Sequence, residues 1–160
     1  MPFHIRMSRF TLLLLGLLSL PSAVASSPIS VNQAWARATF PLAPTGAVYL
    51  QVENHSKRTV VLERASVPET IASEAQIHNV IKDGDMMKMR EQKDGVFVPA
   101  GETLLFAPGG YHVMLLGLKS GLEAGQQFML TLHLDSGEAF ETQVTVQSVD
   151  DAGHAHEHHH

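Results

Sequence analysis

Phe128-Met-Leu-Thr-Leu-His-Leu134, then Asp135-Ser-Gly137, then the return from Ala139 to Val149, is the stretch on which the fold turns. Apolar residues recur at every second position of its first part, the period of a strand that buries one face. Asp135-Ser-Gly137 supplies turn residues, and the chain comes back through a second alternating run.

The same pattern extends toward the N-terminus. Strand formers fill Ile29–Val31, Ala47–Val52, Thr59–Ala65, Met86–Gln92, Val96–Val98, Thr103–Phe106 and Tyr111–Leu116. Punctuation falls between them: Phe40–Gly46 with two prolines and a glycine, Asn54-His-Ser56, Pro68, Asp83-Gly84, Pro99-Ala-Gly101 and Pro108-Gly-Gly110. Asp94-Gly95 reads as the turn of a hairpin joining Met86–Gln92 to Val96–Val98. Some nine short strands at intervals of roughly 8–12 residues, with no amphipathic helix, predict an all-β sandwich or barrel in one domain.

The first 25 residues read as a secretory signal peptide. Arg6 and Arg9 precede the apolar run Phe10–Leu20, and Ala23-Val-Ala25 offers a small-residue cleavage site. Those 11 residues fall short of the roughly 20 that a spanning helix needs. The expected mature protein has no membrane span, a domain over 26–149, and a disordered His-rich tail over 150–160. The expected location is the periplasm. Cleavage removes two arginines and no acid, leaving nine basic against sixteen acidic side chains, a charge of −7. That balance provides no basic patch and argues against nucleic acid as a partner.

Cysteine is absent, so thiolate metal sites and the His2Cys centre of a blue-copper electron carrier are excluded. What remains is imidazole and thioether. Three methionines lie at 86–89, His78 stands upstream, and His112-Val-Met114 places a histidine and a methionine on one face of a strand. Thioethers favour Cu(I), and imidazole accepts copper readily. His78, Met89, His112 and Met114 are therefore the candidate ligands of a Cu(I) site. Taken singly, each has an ordinary explanation, since methionine fills cores and strand histidines mostly face water. Their clustering sets the metal reading level with the ordinary one. Met129 is expected in the core, His133 at the surface and His55 in a turn.

An enzyme is disfavoured. A copper oxidase needs a histidine-rich open site, and the chain has no Gly-x-Ser-x-Gly, His-Glu-x-x-His or phosphate-loop motif. A plain β-sandwich interaction module with incidental methionines, or a copper scavenging or storage protein, are the alternatives.

Gly84-Asp-Met-Met-Lys-Met-Arg90 and Pro108-Gly-Gly-Tyr-His-Val-Met-Leu-Leu-Gly-Leu118 resemble the periplasmic copper chaperones called PCu(A)C. Trp35-x-Arg37, Ala47-Val-Tyr-Leu50 and Pro99-Ala-Gly-Glu102 fit as well, so the resemblance spans about 29–148. Ten residues separate His78 from Met89 and 22 separate Met89 from His112, in keeping with the family's ligand spacing. Asn79 stands where a methionine often follows the first histidine, which removes an auxiliary thioether. The resemblance implies a cupredoxin-like, Greek-key β-sandwich that binds Cu(I). It also implies delivery to the CuA centre of cytochrome c oxidase subunit II, alongside a Sco-type thiol protein.

His154, His156, His158, His159 and His160 form a second metal candidate. Imidazoles without sulfur suit Cu(II), Ni(II) or Zn(II) better than Cu(I). Deleting residues 154–160 is expected to abolish a Cu(II)-binding component and to leave Cu(I) binding by the domain intact. Paired Cu(II) and Cu(I) titrations of the truncated protein check this.

Overall fold

Thr45-Gly-Ala-Val-Tyr-Leu-Gln-Val-Glu-Asn54 alternates without interruption: Val48, Leu50 and Val52 are buried, while Tyr49, Gln51 and Glu53 point outward. It becomes a central strand of the computed structural model, which describes residues 28–148. The described residues form ten strands: β1 (Ile29–Arg37), β2 (Thr45–Asn54), β3 (Val60–Ser66), β4 (Ala72–Asp83), β5 (Met86–Glu91), β6 (Val96–Val98), β7 (Thr103–Phe106), β8 (His112–Leu118), β9 (Gln127–Leu134) and β10 (Ala139–Gln147). Among the described residues there is no α-helix.

The strands hydrogen-bond along one path, β5-β4-β8-β2-β1-β10-β9-β3-β6, with β7 added beside β2. That path folds over on itself, so β3 lies against β4 without hydrogen bonding to it. The two halves form a sandwich, and β1 links them. It runs antiparallel to β2 and parallel to β10, with its register broken between Asn32 and Trp35, where Gln33 takes a φ of 52°. Chain neighbours such as β2 and β3 sit far apart in the path, the crossing expected of a Greek key. Leu50, Leu62, Phe106, Leu115, Leu130, Leu132 and Leu134 fill the space between layers. Each contributes about 1.5–3 kcal/mol by leaving water.

Two expectations are corrected. Asp94-Gly95 is a turn, with Gly95 at φ 78° and its N–H donating to Gln92 O, but it does not close a hairpin. β5 pairs with β4 and β6 with β3, so the turn carries the chain from one layer to the other. Gly95 is required there because a Cβ would lie 2.6 Å from Val61 Cγ1 and 2.9 Å from Leu62 O. Met129 is not a core residue. β9 turns Phe128, Leu130 and Leu132 inward, which leaves Met129 outside and 38% exposed.

Asn54 is one of two buried polar residues among those described, 1% exposed. Its Nδ2 donates toward the carbonyl oxygens of Arg58, Val98 and Pro99 at 2.8, 2.9 and 3.0 Å. Its Oδ1 accepts from Ser56 N and Ser56 Oγ at 3.0 and 2.7 Å. One side chain thus ties the end of β2 to the turn that follows and to the end of β6. Asn54→Asp would set a carboxylate oxygen against those carbonyls. It is expected to cost about 3 kcal/mol, as a buried, unsatisfied and charged group does, measured by urea denaturation near neutral pH.

Candidate metal centre

β4 and β8 pair antiparallel with Ile77 opposite Val113 and His78 opposite His112. Ile77 and Val113 are buried in the core, so the period of two sends both imidazoles to the outer face of the sheet. Met114 lies two residues beyond His112 on that face, opposite Gln76. β5 extends the sheet and sets Met89 opposite Val80. Opposed residues share a face, so Met87 and Met89 join the histidines while Met86 and Lys88 turn to the other side. Met89, His112 and Met114 line a cleft of about 280 Å3, walled also by Val80, Tyr49 and Arg37. His78 lies against His112, their ring centres 5.7 Å apart and tilted by 53°.

Hydrogen bonds fix which face of each ring system is available. His112 Nδ1 is 3.0 Å from Gly110 O, and a carbonyl only accepts, so the Nδ1–H donates to it. The Gly110 carbonyl is aimed there by the Pro108-Gly-Gly110 turn, in which Gly109 takes a φ of 84°. The same carbonyl accepts from Val80 N at 3.3 Å, which ties the turn to β4. His78 Nε2 is 2.8 Å from Gln76 Oε1. The remaining nitrogens, His78 Nδ1 and His112 Nε2, are buried with no hydrogen-bond partner. An unpaired buried polar atom is costly and rare in a folded protein. Here two of them lie on facing rings.

The spacing suits one ion between the rings. With metal–nitrogen bonds of about 2 Å, an ion lies ~3 Å from each ring centre, so the centres can be at most about 6 Å apart. Burial, and after it the neighbouring His112, holds the His78 pKa below the usual imidazole value, with Glu91 partly opposing the shift. Depression favours the neutral, metal-binding form. Among the described residues no group of three or more His, Asp or Glu side chains is disposed to hold a metal. The thioethers of Met89 and Met114, which line the same cleft as His112, are the soft donors nearest the histidine pair.

The other histidines of the described region stand apart. His133, on the outer face of β9, meets Ser66 Oγ at 2.8 Å, and His55 meets Ser30 Oγ at 2.8 Å. The segment expected to be a signal peptide and the tail, including His154, His156, His158, His159 and His160, lie outside the described residues. Sequence reading missed Gln76 and the Gly110 carbonyl as partners of the histidines, and Tyr49 and Arg37 as walls of the cleft. Gln76-x-His78 on one strand was the available signal for the first of these.

Residues 29–146 match the LpqE-like family, described as "Putative lipoprotein LpqE-like". A protein of Leifsonia xyli subsp. xyli (strain CTCB07) named "Putative lipoprotein Lxx21020" is 36% identical over 121 residues, 74% of this chain and 69% of that one. Among solved structures, CuI-DR1885 from Deinococcus radiodurans is similar at a TM-score of 0.61 and 27% identity, covering 79% of this chain and 83% of its own. The apo PCuAC domain from PmoF1 gives 0.62 at 23% identity, covering 76% and 95%. The copper-bound PCuAC domain from PmoF2 gives 0.62 at 20%, covering 78% and 96%. These last two establish likeness of fold, a cupredoxin-like β-sandwich. With the family match running over most of its length and a relative 36% identical over 121 residues, the chain belongs to the LpqE-like family.

Proposed function

We propose that this protein is an exported copper chaperone, which carries Cu(I) between His78, Met89, His112 and Met114 and passes it to another protein. The observation that carries this reading is the pair of buried, unpartnered nitrogens on the facing rings of His78 and His112. The solved Cu(I) form of DR1885 and the copper-bound PmoF2 domain, similar in fold, support copper as the metal. Names of the relatives as lipoproteins support export.

The donor set explains the selectivity. Two neutral imidazoles and two thioethers bring no negative charge, so hard cations such as Ca2+ and Mg2+ gain little from them. Cu(I) prefers soft sulfur and accepts such a set. Binding requires no proton release once the imidazoles are neutral. The role is carriage without catalysis: the ion keeps its charge and only its ligands change.

Release is built into the unequal exposure of the ligands. His112 is 4% exposed and backed by the core, whereas Met89 is 61% exposed on an outermost strand. An incoming ligand can displace that thioether first, without the protein unfolding. The acceptor in this proposal is the CuA centre of cytochrome c oxidase subunit II, with a Sco-type thiol protein acting beside it. That step rests on the sequence resemblance alone.

The ligand assignment is tested by Met89→Leu and Met114→Leu, which approximately conserve volume and should cost under about 1.5 kcal/mol of stability. Each is expected to weaken Cu(I) binding at least about tenfold, or ~1.4 kcal/mol, in competition with a chromophoric chelator. Unchanged affinity in either variant removes that methionine from the site.

The depressed His78 pKa sets a pH dependence. Below the unfolded imidazole value, about 6.5, the unfolded chain takes up a proton at this position before the folded one does. The stability contribution is therefore present above that value and lost as pH falls through the folded one. Urea midpoints of the copper-free protein should decline on acidification, and His78→Gln should decline less. Cu(I) affinity should fall over the same acidic range as protons compete for the ring.

A further inference from the structure

We propose that Glu74 and Gln76 are positioning residues that select the metal-facing nitrogen of His78. The two histidines then present different ring atoms, Nδ1 of His78 and Nε2 of His112. This inference rests on the copper-site reading above.

Glu74, Gln76 and His78 occupy alternate positions of β4 and so share its outer face. Gln76 Nε2 donates to Glu74 Oε1 at 2.8 Å, and Gln76 Oε1 lies 2.8 Å from His78 Nε2. The direction of this chain is forced by its first member. An ionised carboxylate has no proton to give, so the amide NH2 must face Glu74 and the amide oxygen must face the ring. Only an N–H can satisfy that oxygen. The imidazole proton of His78 therefore sits on Nε2, and Nδ1 is left bare.

At His112 a backbone carbonyl does the same work from the other side. Gly110 O accepts from Nδ1–H, and Nε2 is left bare. The two nitrogens that the hydrogen bonds leave bare are, among the described residues, the two buried polar side-chain atoms without a partner. Glu91, opposite His78 in register, is the other acid at hand, and it lies 3.7 Å from Lys93 Nζ. A carboxylate behind an amide strengthens the amide oxygen as an acceptor, in the way that outer partners of metal-ligating histidines raise ligand basicity. The requirement at β4 is thus an acceptor two residues before the histidine, held in one orientation by an acid two residues before that.

The test is nitrogen NMR of the copper-free protein with labelled histidine, recorded well above the imidazole pKa. His78 is expected as the Nε2–H tautomer and His112 as the Nδ1–H tautomer. Gln76→Leu should abolish the preference at His78 alone, and Glu74→Ala should weaken it by freeing the amide to turn. Gln76→Glu, which keeps an acceptor, should retain it. In Cu(I) competition, Gln76→Leu should bind about 10–100-fold more weakly, as loss of an outer partner does, with Gln76→Glu close to the unmodified protein. An Nδ1–H tautomer at His78, or a tautomer unmoved by Gln76→Leu, overturns the proposal. Expected tautomers with no stoichiometric Cu(I) binding by the unmodified protein overturn the copper reading, and with it the metal-facing half of the inference, while the hydrogen-bond relay stands.

Discussion

The antiparallel register of β4 against β8 is the constraint on which the rest depends. Because successive side chains alternate between faces, a slip of one residue would exchange every inward for every outward position. Ile77, Val113 and Leu115 would then face water, and His78 and His112 would enter the apolar interior. The cost of exposing three core side chains holds the register against that slip. The imidazoles face each other on the outer surface because their neighbours in the chain are needed inside. The candidate metal face is in this sense the reverse side of the core.

Rigidity is graded across the site. His112 sits on a strand flanked on both sides, with its ring pinned by a turn carbonyl, and it is nearly inaccessible. His78 is pinned by a side chain that is itself pinned. Met89 lies on the outermost strand, half out in solvent, with no polar atom able to fix it. Such a gradient suits a carrier, which needs a stable platform and one ligand that yields. β5 is also an open sheet edge next to water, and Lys88 and Arg90 place charge along it, as exposed edges commonly do to discourage pairing with other chains.

Much was legible before any coordinate. Period-two alternation in Phe128–Leu134 and Ala47–Val52 is a local property, and it survives in β9 and β2. Of the two corrected expectations, one turned on a contact distant in sequence and the other on immediate neighbours. Asp94-Gly95 has the chemistry of a hairpin turn, yet its glycine answers to the backbone of β3, more than 30 residues earlier. Met129, set between two apolar residues, reads as core, but Phe128 and Leu130 already claim the inner face. The first error needed the fold to correct it. The second needed only stricter use of the alternation.

By itself the sequence determined the donor chemistry: without cysteine, and with two histidines and several methionines in one region, only nitrogen and thioether sulfur were at hand there for a soft metal. It also determined the strand periodicity that puts His112 and Met114 on one side. Tertiary structure decided which residues meet. His78 and His112 are 34 positions apart, and only strand pairing sets their rings 5.7 Å from each other. It decided, too, which nitrogens stay bare, since that depends on the Gly110 carbonyl and the Gln76 amide, whose directions follow from backbone geometry and a carboxylate nearby. The physical reason is the same in each case. Residue type fixes what an atom can donate or accept, but the direction in which it does so belongs to the packed chain.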